Sequence, residues 1–244
     1  MASNMISDFV GREAELTRLQ QAFNRIQEGT GRIAALVGEP GIGKTRTATE
    51  FADSLTEMGI SVSWGKCYEG SGAPVYWPWI QVIRSYIDSH NPEKTAAAMG
   101  SGAAAIAEVI PEVADRLGDL PPLKTIDAPL SARFRFFDSI TTYLRNLSDS
   151  DPIVIMLEDL HWADVTSLTL LEFIAHNLPS IRLLIVITYR DTDLHRKHPL
   201  WQSLGDLSRA DNFERIPLRG LGENDVHELM EKQSGATDLS SLAE

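Results

Sequence analysis

A glycine-rich segment at residues 36–47, with the sequence LVGEPGIGKTRT, places a lysine and a threonine directly after a flexible loop. Gly38, Gly43, Lys44 and Thr45 fit the pattern G-x-x-x-x-G-K-[ST], with an apolar run before it and a helical pattern after it. Glycines let successive backbone N–H groups point at a phosphate, and the following helix N-terminus adds about half a positive charge. The segment therefore predicts a phosphate site rather than an ordinary turn. Lys44 would reach the β- and γ-phosphates, and Thr45 would ligate Mg²⁺.

A second apolar run ends in two carboxylates. In the sequence IVIMLEDLHWAD, the apolar residues 153–157 lead directly into Glu158 and Asp159. Ligands of open α/β sheets bind at the carboxyl ends of the strands, so both side chains are predicted at that edge. By position, Glu158 is expected to hold Mg²⁺, directly or through water, and Asp159 to orient or deprotonate an attacking water. The alternative is a pair of solvated carboxylates in a turn.

A third apolar run ends in ITYRD, which places Arg190 at the same predicted edge. A guanidinium there can sense or stabilise the charge of a γ-phosphate. The alternative is a surface arginine that pairs with Asp191 or Asp193.

The remaining aromatic and histidine residues are assigned no catalytic part. His161 and Trp162 follow the two carboxylates and are interpreted as packing residues. His195 and His198 lie in a polar loop without partner ligands, so no metal site is predicted there. The aromatic stretch VYWPW, residues 75–79, is favoured as core over a partner surface.

The elements that must position these residues alternate along the chain. The runs RIAALVG, PIVIMLED and IRLLIVITYRD are continuously apolar, as in parallel strands covered on both faces, and ISVSWGKCY and FERIPLRG are weaker strand candidates. Helical patterns lie at residues 12–28, after the glycine loop, and before and after the carboxylates, where Asp164 is a predicted N-cap. This alternation predicts a three-layer α/β sandwich with a parallel sheet.

Composition narrows the class of protein. The 244 residues carry a formal net charge of −12, which argues against direct binding of nucleic acid by this segment. The single cysteine, Cys67, excludes an internal disulfide framework and fits a reducing compartment. No signal pattern and no long uncharged apolar run is present, so a cytoplasmic location without membrane contact is expected.

Five motifs together resemble a known family. FVGRE, LVGEPGIGKTR, CYEGSGAPVYWPW, LEDLHWAD and ITYRDTDL are similar to the AAA-type ATPase modules of STAND signalling NTPases, often labelled Orc1-like or AAA_16 domains. Such modules occur in large LuxR-type and MalT-like transcriptional regulators, and beside cyclase or kinase domains. The resemblance extends to about Gly235 and implies a P-loop NTPase sandwich with sheet order 5-1-4-3-2. It also implies an ATP/ADP switch with slow, Mg²⁺-dependent hydrolysis.

The resemblance implies a set of site residues. Related modules commonly have Asp where Glu158 stands, and the longer side chain is still expected to reach Mg²⁺. Asp159, Lys44 and Arg190 would be catalytic, and Thr45 and Glu158 would hold the metal. The N-terminal segment Val10, Gly11 and Arg12 would lie beside the adenine. The phosphate-binding residues would be Gly38, Glu39, Pro40, Gly41, Ile42, Gly43, Lys44, Thr45 and Arg46.

The predicted organisation is an ATPase domain at residues 1–220, with a helical insertion and loop at 71–130, and the beginning of a truncated helical lid at 221–244. ATP or ADP is the expected ligand, and signalling domains of the same or a partner chain are the expected partners. Two alternatives stay open, a non-hydrolysing nucleotide-binding scaffold and an Orc1-like DNA-associated ATPase. A small-molecule kinase shares the loop, but the Glu158–Asp159 pair and Arg190 favour water as the acceptor.

Overall fold

Five parallel strands form one sheet in the computed structural model, which describes residues 9–70, 72–122 and 129–234. The strands are β1 (Arg32–Val37), β2 (Val62–Lys66), β3 (Ile153–Glu158), β4 (Leu183–Tyr189) and β5 (Phe213–Pro217). Their order is β2-β3-β4-β1-β5, which confirms the predicted order 5-1-4-3-2 read from the opposite side.

The helices alternate with these strands as the sequence predicts. They are α1 (Glu13–Gln27), α2 (Lys44–Glu57), α3 (Trp77–Ser89), α4 (Pro92–Met99), α5 (Ala103–Ala107), α6 (Glu112–Leu117), α7 (Pro129–Ser148), α8 (Val165–Asn177), α9 (Pro199–Leu207) and α10 (Glu223–Ser234). Asp164 caps the N-terminus of α8, as predicted: its carboxylate accepts the Ser167 backbone N–H at 2.9 Å.

The sheet is buried on both faces. Alternate strand residues face different clusters: Ile155 and Ile185 pack with α3, α7 and α8, whereas Val154 and Leu184 pack with α1 and α2. Every residue of β3 and β4 is buried. This double coverage is why the central runs do not alternate in hydrophobicity, and it confirms the predicted three-layer architecture.

The register of the strands brings three chain segments to one edge. Val37 at the end of β1 pairs with Tyr189 at the end of β4, and Lys66 at the end of β2 pairs with Glu158 at the end of β3. The segments that follow β1, β3 and β4 therefore leave the sheet side by side, although they are far apart in the sequence.

Helix α3, which begins the predicted insertion, belongs to one outer layer of the sandwich. Trp79 is fully buried and its indole Nε1–H donates to the Ser167 carbonyl at 3.1 Å, which supports the core interpretation of the aromatic stretch. Gly65 of β2 permits this packing, because a Cβ there would lie 2.1 Å from the Pro78 carbonyl oxygen. Helices α4 and α5 pack on α7, and α6 packs on α4 and α5. Residues 123–128 of the predicted loop lie outside the described residues.

Helix α10 is the last described element. Among its apolar residues, Val226 and Met230 are exposed and Leu229 is partly buried. The remainder of the predicted lid, residues 235–244, lies outside the described residues. No helix within the described ranges has the length and apolar character needed to cross a bilayer.

Candidate functional site

A cavity of about 260 Å³ opens at the carboxyl edge of the sheet. Residues from the three motifs share it, although they are separate in the sequence. Its lining consists of Pro40, Gly41, Gly43, Lys44, Thr45, Arg46, Asp159 and Arg190.

The glycine loop is shaped by two of its glycines. Gly43 has φ of 104°, a left-handed conformation, and precedes α2 directly, so the helix begins at Lys44 with its free N–H groups toward the cavity. Gly38 lies against β5: a Cβ there would be 2.9 Å from the Leu218 carbonyl oxygen. The loop therefore needs glycine for conformation at one position and for space at the other. Its helix N-terminus favours an anion in the cavity.

Lys44 is held inside the loop. It is only 7% exposed, and its Nζ donates to the carbonyl oxygens of Gly38 and Glu39, both at 2.8 Å. Burial lowers the pKa of Lys44, and the nearby charge of Arg190 lowers it further. An ammonium group has three donors, so one stays available for a phosphate oxygen.

Asp159 has an unusual backbone conformation. Its φ of 56° is left-handed, which costs about 1–3 kcal/mol for a residue other than glycine. The Asp159 N–H donates to the Thr188 Oγ1 of β4 at 3.0 Å, and Thr188 is buried. This contact holds the turn that presents the Asp159 carboxylate to the cavity. Sequence reasoning did not identify Thr188, because its partner is 29 residues away.

Glu158 is buried beside its neighbour. It is 7% exposed and does not line the cavity, and its Oε1 has no hydrogen-bond partner. The Lys66 Nζ lies 3.8 Å from the Glu158 Oε2 and 3.9 Å from the Asp159 Oδ2. One lysine thus faces both carboxylates. Sequence reasoning also did not identify Lys66, because its position beside Glu158 follows from the parallel register of β2 with β3.

The position of Arg190 is compatible with both interpretations that the sequence left open. Its side chain lines the cavity, and its Nη1 also lies 3.7 Å from the Asp193 Oδ2. Asp191, the other candidate partner, instead lies 3.4 Å from the Arg215 Nη2. The guanidinium is therefore placed between the phosphate loop and Asp193.

The two residues after the carboxylate pair differ in environment. His161 is 3% exposed, as the packing interpretation requires, whereas Trp162 is 37% exposed. Burial lowers the pKa of His161, with opposing effects from Asp159 and Arg190. In the loop after β4, His198 caps α9, since its Nδ1 accepts the Leu200 N–H at 3.2 Å.

A second cavity of about 150 Å³ adjoins the first and shares Gly43 and Arg46 with it. Its other lining residues are Phe9, Val10, Arg12, Ile42, Thr47, Leu221 and Leu229. Arg12 has a left-handed backbone and donates from Nη2 to the Ile42 carbonyl at 2.9 Å, which joins the N-terminal segment to the loop.

Among the predicted nucleotide-binding residues, Gly11, Gly38 and Glu39 line neither cavity. Gly11 is buried with φ of 66°, and a Cβ there would lie 3.0 Å from the Leu221 Cδ2. Gly38 and Glu39 act through their carbonyls, which bind Lys44. These residues shape the site rather than lining it.

A family model described as an AAA ATPase domain matches residues 8–187. The chain belongs to this family. The match confirms the predicted resemblance to AAA-type ATPase modules. Three motifs of this AAA domain supply the residues that line the first cavity.

Similar proteins extend the comparison. An uncharacterized protein of Rhizobium meliloti (strain 1021) is 25% identical over 193 residues, which are 74% of this chain and 18% of that protein. The chain thus spans less than a fifth of the length of that relative. A STAND protein with a tetratricopeptide repeat sensor from Pyrococcus horikoshii has 16% identity and a TM-score of 0.53, over 98% of this chain and 27% of that one. The AAA domain shares its fold with that structure.

A structure of Drosophila ORC bound to DNA matches at 12% identity and a TM-score of 0.43, over 89% of this chain and 99% of that chain.

Proposed function

We propose that this AAA domain is a regulatory ATPase module that binds ATP with Mg²⁺, hydrolyses it slowly and distinguishes ATP from ADP. One observation carries the proposal. Lys44, Asp159 and Arg190, which follow three different strands, line one cavity at a helix N-terminus. An anion-binding loop, a carboxylate and a second cation around one space are what phosphoryl transfer to water requires.

Nucleotide binding uses the two adjoining cavities. The phosphates lie against the N-terminus of α2, where the Lys44 ammonium and the free N–H groups bind their oxygens. The base enters the more apolar cavity lined by Val10, Ile42 and Leu229. Gly43 and Arg46 belong to both cavities, so one elongated ligand can span them.

Two side chains supply oxygen atoms of the kind that Mg²⁺ prefers: Thr45 in the cavity lining, and Glu158, which is buried and lies outside that lining. The Glu158 Oε1 is buried and has no hydrogen-bond partner, which is costly for a carboxylate oxygen unless a cation binds it. Thr45 lines the cavity on the first turn of α2. Glu158 and Thr45 would hold the ion, which when bound neutralises charge on the β- and γ-phosphates.

Hydrolysis assigns distinct parts to two side chains. The Asp159 carboxylate orients a water and accepts its proton as the water oxygen bonds to the γ-phosphorus. The bond between that phosphorus and the oxygen bridging to the β-phosphate breaks, and ADP leaves with the bridging oxygen. The Arg190 guanidinium stabilises charge on the γ-phosphate oxygens as the bond breaks.

The module is proposed to act within a larger cytoplasmic signalling protein, such as a LuxR-type regulator. In support, the chain corresponds to 18% of its Rhizobium meliloti relative, and the similar STAND protein is described as carrying a tetratricopeptide repeat sensor. We assign residues 1–220 to the ATPase domain, with 71–130 as its helical insertion, and 221–244 to the start of a lid. The net charge of −12 disfavours direct nucleic acid contact.

The test separates an ATPase from a nucleotide-binding scaffold. Thermal melting with Mg-ATP measures binding, and single-turnover release of phosphate measures chemistry in the wild type and in Asp159→Asn. We expect both proteins to bind and Asp159→Asn to hydrolyse far more slowly. Binding with equal, background rates in the two proteins would establish the scaffold instead. No melting shift in the wild type would contradict nucleotide binding altogether.

A further inference from the structure

A buried histidine, His161, lies close to Asp193, the aspartate that also faces Arg190. His161 lies on the short 3-10 turn Leu160–Trp162, directly after Asp159, and is 3% exposed. Neither of its ring nitrogens has a hydrogen-bond partner. Burial lowers the pKa of His161 and so favours its neutral form, which carries one N–H donor. A buried donor without a partner carries a desolvation penalty that one new hydrogen bond would remove.

Asp193 lies between this histidine and the arginine. Its Oδ2 is 3.8 Å from the His161 Nε2 and 3.7 Å from the Arg190 Nη1. Both distances exceed those of a formed hydrogen bond, which are about 2.7–3.2 Å. One carboxylate oxygen thus faces two donors from different segments and is bonded closely to neither.

We propose that His161 and Arg190 exchange places as the partner of Asp193, and that this exchange sets the preference for ATP over ADP. Without a γ-phosphate, Asp193 restrains the Arg190 guanidinium. When a γ-phosphate attracts Arg190 into the cavity, the His161 Nε2–H donates to the Asp193 carboxylate that the arginine has left. His161 is a positioning residue: it touches neither nucleotide nor water, and it acts through Asp193 on Arg190.

The position of Arg190 makes both states reachable. Its side chain lines the phosphate cavity and is about one third exposed, so a change of rotamer displaces little packing. It lines the same cavity as Lys44, and its charge lowers the pKa of both Lys44 and His161. The inference rests on the proposed function, because a γ-phosphate must enter the cavity to draw the arginine away.

The experiment is a double-mutant cycle on ligand preference. Calorimetry gives the affinity of the whole chain for Mg-ADP and for an ATP analogue with a non-hydrolysable β–γ bridge, and the ratio of the two affinities is the readout. His161→Phe keeps the ring shape and removes the donor, so we expect the preference for the ATP analogue to fall by up to about tenfold, the effect of one hydrogen bond. His161→Gln keeps a donor and should restore most of the preference.

Asp193→Asn should raise the preference for the ATP analogue, because the carboxylate no longer competes for Arg190. The rise should be only a few-fold, because ion pairs that are partly exposed to solvent are weak. Asp191→Asn is the matched control, since Asp191 faces Arg215 instead, and should leave the ratio unchanged. In an Asp193→Ala background, which leaves no side-chain acceptor for His161, adding His161→Phe should change nothing further.

Three results would overturn the exchange: an unchanged ratio in His161→Phe, an equal loss of affinity for both nucleotides, or a drop of the same size in the Asp193→Ala background. Each leaves the proposed function standing, provided that the wild type binds both ligands. A wild type that binds neither ligand ends both proposals. If His161→Phe does not fold, the comparison of Asp193→Asn with Asp191→Asn still tests the proposal. Equal ratios of ATP-analogue to ADP affinity in these two variants would exclude any restraint of Arg190 by Asp193.

Discussion

The two edges of the sheet carry cavities of very different kinds. The cavity at the amino edge is the larger, at about 620 Å³ against about 260 Å³ at the carboxyl edge. Its charged residues, among them Lys94, Asp149 and Asp151, are exposed to solvent. At the carboxyl edge, by contrast, Lys44 is buried and Asp159 is held in a left-handed conformation.

If the carboxyl edge holds the nucleotide, as we propose, cavity volume is a poor guide to the binding site in this molecule. In a parallel sandwich the carboxyl ends of the strands face the N-termini of the helices that follow, so free N–H groups collect at that edge. The buried Lys44 acts in a region of lower dielectric and attracts an anion more strongly than a solvated lysine does. Desolvation and backbone strain, rather than space, distinguish the smaller cavity.

The largest effect is expected for the replacement of Lys44 at the carboxyl edge, compared with the replacement of Lys94 at the amino edge. At about 100 times its Kd, Mg-ATP should stabilise the wild type by roughly 2.7 kcal/mol. Lys44→Ala should show no stabilisation, because the donor to the phosphates is gone. Lys94→Ala, at the larger cavity, is the matched control and should behave as the wild type. Thermal melting decides: equal shifts in wild type and Lys44→Ala would place the ligand elsewhere.

The next effect separates the two neighbouring carboxylates. Asp159→Asn should bind Mg-ATP normally and hydrolyse it about 10²- to 10⁴-fold more slowly, since an amide cannot accept the proton. Glu158→Gln should weaken Mg²⁺-dependent binding as well, because the charge of the metal ligand is lost. Titrations with Mg-ATP and single-turnover rates on both variants measure this. If Asp159→Asn keeps the wild-type rate and Glu158→Gln does not, the two roles are reversed.

A smaller effect is expected for Arg190, which directly follows β4. Arg190→Ala should weaken ATP binding by about tenfold and leave ADP binding nearly unchanged, because only the γ-phosphate lies within reach of the guanidinium. Calorimetry with both nucleotides measures it, and Arg196→Ala in the exposed part of the same loop is the control. Losses of equal size for ATP and ADP would show that Arg190 does not read the γ-phosphate.

The smallest effect concerns the lysine that faces both carboxylates. Lys66 is about half exposed, so its attraction to Glu158 and Asp159 is weak. Removing it by Lys66→Met should relieve competition with Mg²⁺ and raise the apparent Mg²⁺ affinity by about two- to threefold. A Mg²⁺ titration of ATP binding checks this. A fall in affinity would instead make Lys66 a part of the nucleotide site.

The amino-acid sequence by itself determined the strands, several of the helices and the motifs at the strand ends. The loop pattern around Lys44, the apolar strands ending at Glu158 and Tyr189, and the N-cap at Asp164 are local signals, each contained in about a dozen residues. The order of the strands followed from resemblance rather than from any residue pattern. The start of α10 was also predictable, because its apolar spacing is local.

The tertiary structure alone decided which side chains meet at the carboxyl edge. Thr188 supports Asp159, Lys66 faces Glu158, and Asp193 joins His161 to Arg190. These partners come from neighbouring strands or from the loops after them, and the register of the sheet fixes their distances. A periodic pattern records which face a residue occupies, but it contains no information about the residue opposite. For that reason the chemistry of each strand end was visible in the sequence, whereas the contacts that position it were not.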